Sequence, residues 1–237
     1  MRIVVVTTSF PRNDDDPSGH FVRSSSSALA RKGHEVHVIA PGGSIFDLPS
    51  RSDDLLVHRA GGGSLFDWPG AIARAREQPF RLFSAAPFAL GVRLRLRALG
   101  HVDHAIAHWI VPSAWPLLVD GPASLEVIAH GADVRALCSA PLLVRRAIIT
   151  KLLDRGARFV FAAQSTRLLL QQALAPGLAA RLEAASRIKP PPIDVPDVTT
   201  RARELRASLD LAPEARLVVV ACRLIASKRV DLAIDTA

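Results

Sequence analysis

Residues 20–40, HFVRSSSSALARKGHEVHVIA, decide the fold. The stretch predicts a helix over His20–Lys32. Gly33 closes it as a residue that takes the left-handed conformation freely, and a strand over Glu35–Ala40 follows at once. Upstream, Ile3–Thr7 is a continuous β-branched run of the length of a strand buried on both faces. Residues 8–19 between them form a polar loop with two prolines, an Asp14–Asp16 run and Gly19. Strand, loop, helix, glycine and strand in that order make a βαβ unit. Such a unit forces its two strands parallel and its crossover right-handed. Ser24–Ser27 weakens the helix, because serine hydroxyls compete for its backbone hydrogen bonds.

The alternation continues outward from this unit. Strands are expected at Leu55–Arg59, His101–Ala107, Ser124–Ala129, Arg158–Ala162 and Ala185–Lys189. A glycine-rich loop is expected over 61–70. Helices are expected over 71–99 with a break near Pro79 or Pro87, and then over Pro112–Val119, 139–155 and Ser165–Leu174. The sum is an α/β fold, a doubly wound parallel sheet of Rossmann-like type with helices on both faces, over residues 1–189. Pro190, Pro191, Pro192 and Pro196 then make a stiff linker over 190–199. Beyond it, 200–237 predicts a helix at Thr200–Leu209, an apolar strand at Arg216–Ala221 and a helix from near Lys228. One strand and two helices cannot bury a core of their own, so this segment reads as the truncated start of a second domain.

Composition narrows the function classes. Of 237 residues, 49% are hydrophobic and 22% charged, which excludes a disordered chain. No apolar run approaches the ~18 residues of a membrane-spanning helix, and the amino terminus lacks the pattern of a secretory leader. Cys138 and Cys222 stand far apart with no histidine at metal spacing, so a cytoplasmic chain with neither disulfide nor metal is expected. Thirty Lys and Arg against 22 Asp and Glu favour an anionic partner. That partner is not expected to be nucleic acid, because tyrosine is absent and no basic stretch is interleaved with aromatics.

Several segments, in order, resemble the amino-terminal half of retaining glycosyltransferases of family 4, which have GT-B architecture. They are the first strand ending in SFPR with Gly19-His20-Phe21-Val22 after it; ALARKGHEVHVIAP at 28–41; AHWIVP at 107–112; VIAHGADV at 127–134; GARFVFAAQSTRLL at 157–170; and CRLIASKRVDLAI at 222–234. The resemblance runs over essentially the whole chain. It implies transfer of a sugar from a nucleotide-sugar donor to a saccharide or lipid-linked acceptor, with no metal or other cofactor. The sheet would be the acceptor side, and 200–237 the start of the donor-binding domain.

The chemistry singles out particular residues. Amides at a glycine loop opening a helix can hold a diphosphate, so Gly19 is either a donor-phosphate residue or a plain turn glycine. The resemblance gives Arg223 and Lys228 the donor diphosphate, whose leaving-group charge they would offset. His130 follows a strand at the carboxyl edge of the sheet, where open α/β sheets bind ligands. The resemblance places it near the reaction centre, which makes it the catalytic candidate. His20, His108, Trp109 and Asp133 are acceptor-side candidates, with Asp133 read first as the N-cap of a following helix. His34 is expected to be structural, and Asp14–Asp16 a solvated or capping loop. The basic segments Arg93–Arg97 and Val144–Arg155 suit either an anionic membrane surface or a solvated helix face. A peripheral position at the inner face of the cell membrane follows from the first.

The sequence departs from that family in two places. RIKPPPID at 187–194 replaces the family's small-residue hinge, and the chain stops before the region that carries its pair of glutamates. The lone chain is therefore expected to lack turnover. Two readings remain: a transferase polypeptide that is truncated or works with a separate carboxyl-terminal chain, or a non-catalytic remnant that binds an acceptor, a membrane surface or a protein. A nicotinamide-dependent oxidoreductase is excluded, because the first strand leads into TTSFPRND and not into a GxGxxG turn. An epimerase of the same architecture fits the order of motifs less well.

Overall fold

The computed structural model describes residues 1–13, 16, 18–67, 70–190, 198–212, 214–222 and 229–235. The chain divides into two compact units, Met1–Pro192 and Ile193–Ala237.

In the first unit the β-branched run forms β1 (Arg2–Val6), and α1 (His20–Arg31) and β2 (Glu35–Ala40) complete the expected βαβ unit. There follow β3 (Ser50–Ser52), β4 (Leu55–Arg59), α2 (Ala71–Glu77), α3 (Ala85–Leu99), β5 (His104–His108), α4 (Ala114–Asp120) and β6 (Leu125–Ala129). After them come α5 (Ala132–Ser139), α6 (Leu142–Asp154), β7 (Arg158–Phe161), α7 (Gln164–Gln172), α8 (Pro176–Ala184) and β8 (Ser186–Ile188). The eight strands pair in the order β3-β4-β2-β1-β5-β6-β7-β8. All pairs are parallel except β3 with β4. The order reverses between β1 and β5, which makes their carboxyl ends the ligand-binding crevice of such a sheet.

Alternation along the strands builds two cores. Ile3 and Val5 face Val36, Val38 and Val57, and α1 covers them through Val22 and Leu29. Val4 and Val6 turn the other way, to a larger core with Ala105, Val127 and Phe159. There the covering residues include Phe88 and Val92 of α3, Leu117 of α4, Ile149 of α6 and Leu182 of α8. The doubly wound sheet is thus the expected one, with both faces dry.

Several boundaries differ from expectation. The helical stretch over 71–99 breaks at Pro79, where Pro79–Ser84 forms a 3-10 turn, while Pro87 sits in the first turn of α3. Proline is tolerated there because its missing N–H had no partner to lose. The stretch expected as one helix from 139 begins only at Leu142, and a separate helix, α5, precedes it. Strand β5 starts at His104 and not at His101: the Asp103 carboxylate takes the Arg2 amide at 2.6 Å, and residues 101–103 lie outside the ladder.

In the second unit α9 (Thr199–Ser208) and α10 (Val230–Asp235) form as helices. The strand expected at Arg216–Ala221 does not: among the described residues it joins no ladder, and Leu217–Val220 are 45–75% exposed. An apolar run becomes a strand only where a ladder accepts it. Pro191, Pro192, Pro196, Arg223, Lys228, Asp14 and Asp15 lie outside the described residues. Among the described residues no helix is long and apolar enough to cross a membrane.

Candidate functional site

Two parallel neighbours, β5 and β6, end side by side next to the crevice, with His108 opposite Ile128. His108 is the last residue of β5 and His130 follows β6, so the register brings both rings to the same edge. His108 Nδ1 and His130 Nε2 are 3.0 Å apart, and the rings stack at 5.2 Å with 13° between their planes. Burial, then the neighbouring His130, pushes His108 down to about 3. Burial alone pushes His130 down to about 4. Both rings are therefore neutral at pH 7, and one shared proton lies between a donor nitrogen and an acceptor nitrogen.

Aromatic side chains close around the pair. Trp109 lies 4.6 Å from His130 between ring centroids, and Phe21 of α1 lies 4.9 Å from it. Trp109 adopts a left-handed backbone, φ 71°. For a bulky residue that conformation costs roughly 1 kcal/mol or more and is found where surrounding structure imposes it. It turns the chain sharply after β5 and keeps the indole against His130.

Asp133 anchors this corner. It is not the N-cap of α5; that position is Gly131, with φ 89°. Its buried carboxylate instead accepts the Ile110 amide at 2.8 Å and the His130 amide at 3.0 Å. Burial pushes the carboxyl above its ordinary value, and the backbone N–H groups around it act in the opposite sense. Such a group is a positioning residue between two loops, with both oxygens engaged.

The other sequence candidates separate. Gly19 caps α1 with φ 67°, and a Cβ there would lie 2.2 Å from the Ser9 carbonyl oxygen. Packing within the β1–α1 loop is thus sufficient reason for glycine at this position. His20 is exposed at the start of α1, next to Phe21. Arg223 and Lys228 lie outside the described residues. Among the described residues no group of His, Cys, Asp and Glu is arranged to hold a metal.

Sequence reasoning missed Phe21 as a ring contact, and it missed a cationic cleft beside the same loop. A cavity of about 300 Å³ is lined by Ser9, Arg12, Asp16, Asp67 and Arg74 among others. It adjoins a second of about 390 Å³ that reaches Arg59. The one available signal was Arg59 at the carboxyl end of a parallel strand.

No family model matches the sequence, and no curated protein matches it. Solved structures are similar to it. Sucrose-phosphate synthase from Thermosynechococcus elongatus matches with a TM-score of 0.57 at 16% identity, over 90% of this chain and 53% of that one. The chain thus spans about half the length of that synthase. A shorter chain of the same protein gives a TM-score of 0.53 at 14% identity, over 89% of this chain and 99% of that one. At these identities the likeness is one of fold, that of a Rossmann-like GT-B domain.

Proposed function

We propose that this chain is the acceptor-side part of a retaining GT-B glycosyltransferase of family 4 type. On this reading it moves a sugar from a nucleotide-sugar donor to a saccharide or lipid-linked acceptor. The observation that carries the reading is the neutral His108–His130 pair, held through Asp133 at the carboxyl ends of β5 and β6, next to the point where the sheet order reverses. A neutral imidazole can accept the hydrogen bond of an acceptor hydroxyl, and the second ring can take up or return the shared proton. Trp109 and Phe21 offer apolar faces of the kind that pack on a sugar ring, while His20, exposed beside Phe21 at the start of the same helix, is a further acceptor-side candidate. Arg223 and Lys228, with Gly19, are the proposed donor-diphosphate contacts, their charge replacing a metal. The exposed run Leu217–Val220 supports completion of the second unit by further polypeptide, on this chain or a separate one.

A second reading, binding without catalysis at a membrane or protein surface, is favoured by one feature of α6. Its first turn exposes Leu142, Leu143 and Val144 by 46–77%.

Thermal-shift titration separates the two. The ligands are uridine and guanosine diphosphates, their sugar conjugates and, separately, anionic vesicles. A saturable rise with one nucleotide sugar, lost on Arg223→Ala, supports the transferase reading. A rise with vesicles alone supports the second.

A further inference from the structure

Three arginines from different parts of the sequence converge beside the β1–α1 loop. Arg12 follows β1, Arg59 ends β4 and Arg74 lies in α2. Arg12 and Arg74 line the first cavity, and Arg12 and Arg59 line the second, which continues it. Asp67 is engaged by Arg12 as an ion pair. Asp16 accepts the amides of Arg12 at 3.0 Å and Ser18 at 2.9 Å. Arg59 has no carboxylate within hydrogen-bond distance among the described residues. Its guanidinium donates to the carbonyls of Pro41 at 3.2 Å and Pro11 at 3.5 Å.

The walls are built for close approach. Gly43 takes φ 59°, and a Cβ there would lie 2.9 Å from Arg59 Cβ, so only glycine lets the 42–47 loop close on the arginine stem. Arg95 of α3 holds that loop in place by donating to the Asp47 carbonyl at 2.6 Å and the Ser44 carbonyl at 3.4 Å. Burial, and then the charge of Arg12, holds Arg59 below the usual arginine range, with the Asp16 charge acting in the opposite sense. Two guanidiniums facing one partly desolvated cleft repel each other, and an anion between them would relieve that repulsion.

We infer that this cleft is a phosphate-binding site that takes the phosphomonoester of a small soluble ligand, with Arg12 and Arg59 as its forked donors. The phosphate site stands on the cleft alone. Only the assignment of that phosphate to a sugar acceptor rests on the proposed function, since the helix that follows this loop supplies Phe21 to His130.

The test is calorimetric titration of the full chain with inorganic phosphate, a hexose 6-phosphate, the unphosphorylated hexose and vesicles containing phosphatidic acid. Saturable binding of phosphate and hexose phosphate is expected, weakened about tenfold or more by Arg59→Gln and partly restored by Arg59→Lys. Should Arg59→Gln fail to fold by circular dichroism, Arg12→Gln, whose side chain is 52% exposed, serves instead. Absence of phosphate binding, binding equal in the variants, or binding of vesicles alone would overturn the site. His130→Ala reads the other proposal separately. It should weaken hexose phosphate but not inorganic phosphate, and unchanged binding of both would remove the acceptor assignment while leaving the phosphate site standing.

Discussion

Asp133 and Ile110 are joined across two loops: the carboxylate Oδ2 accepts the Ile110 amide at 2.8 Å while Oδ1 holds the His130 amide at 3.0 Å. One side chain therefore fixes the exit of β5 and the exit of β6 relative to each other. The stacked rings of His108 and His130 sit on those two exits, so their 3.0 Å contact depends on a carboxylate that is hydrogen-bonded to the backbone of both exits.

Removing that carboxylate should loosen the corner. Asp133→Ala leaves the buried Ile110 amide and the part-buried His130 amide without their acceptor, and a loss of about 2–4 kcal/mol is expected from such unpaired groups. Asp133→Asn keeps one acceptor and should lose less. Urea unfolding measures both, and a change under about 0.5 kcal/mol for the alanine variant would show that the loops are held by other contacts.

Stability should fall as pH is lowered from about 6.5 towards 4. His58 is pushed down to about 4, first by burial and then by His37, with which it shares a 2.9 Å contact. His108 and His130 are depressed as well, to about 3 and about 4. A histidine whose folded pKa lies below its unfolded value binds more protons when unfolded. Its contribution is complete above about pH 6.5 and is lost as pH falls towards the folded value. The lowered carboxylates Glu35, Asp103 and Asp120 add to the loss only from about pH 5 downwards, as pH falls through their ordinary values. Urea midpoints at pH 7.5, 6 and 5 should decline in order, and a flat series would contradict neutral burial of these rings.

Two glycines with similar backbones should respond differently to alanine. Gly33 has φ 84° and nothing within 4 Å of an added Cβ, so Gly33→Ala should cost only about 1 kcal/mol of left-handed strain. Gly19 has φ 67° and the Ser9 carbonyl oxygen 2.2 Å from the same atom. The β1–α1 loop must move, and a cost of roughly 2–4 kcal/mol is expected. Equal costs from thermal unfolding would mean that the loop yields freely.

The contrast between these positions shows what was legible in advance. Gly33 and the strand after it follow from local pattern, as do β1, β2, β4 and the edge positions of His108 and His130, because period and punctuation are local properties. Helix α8 was missed although Ala175-Pro176 offered a start signal, with proline at the first helical position. The pairing of two histidine rings depends on register between β5 and β6, which the sequence does not write down. The Asp133 carboxylate was misjudged for the same kind of reason: its partner Ile110 lies on another strand's loop. The arginine cleft was invisible because residues 12, 59 and 74 meet only once the loops after β1, β2 and β4 are folded.

The second unit gives the sharpest dynamic expectation. None of its described residues from Val198 onward is buried, and Val218 and Val219 are 75% and 73% exposed. In the first unit, by contrast, Val4, Val6, Val38 and Phe159 are 0% exposed within a continuous parallel ladder. Amides open with a free energy set by the apolar contacts and ladder bonds that must be broken. Hydrogen exchange followed by mass spectrometry should therefore find peptides covering 199–222 exchanging at the earliest times, while those of β1, β2, β5 and β6 persist until global unfolding. Protection across 216–222 equal to that of β1 would mean that the run is paired in solution, most simply with a second copy of the chain. In that case protection should rise with protein concentration, because the pairing would be bimolecular.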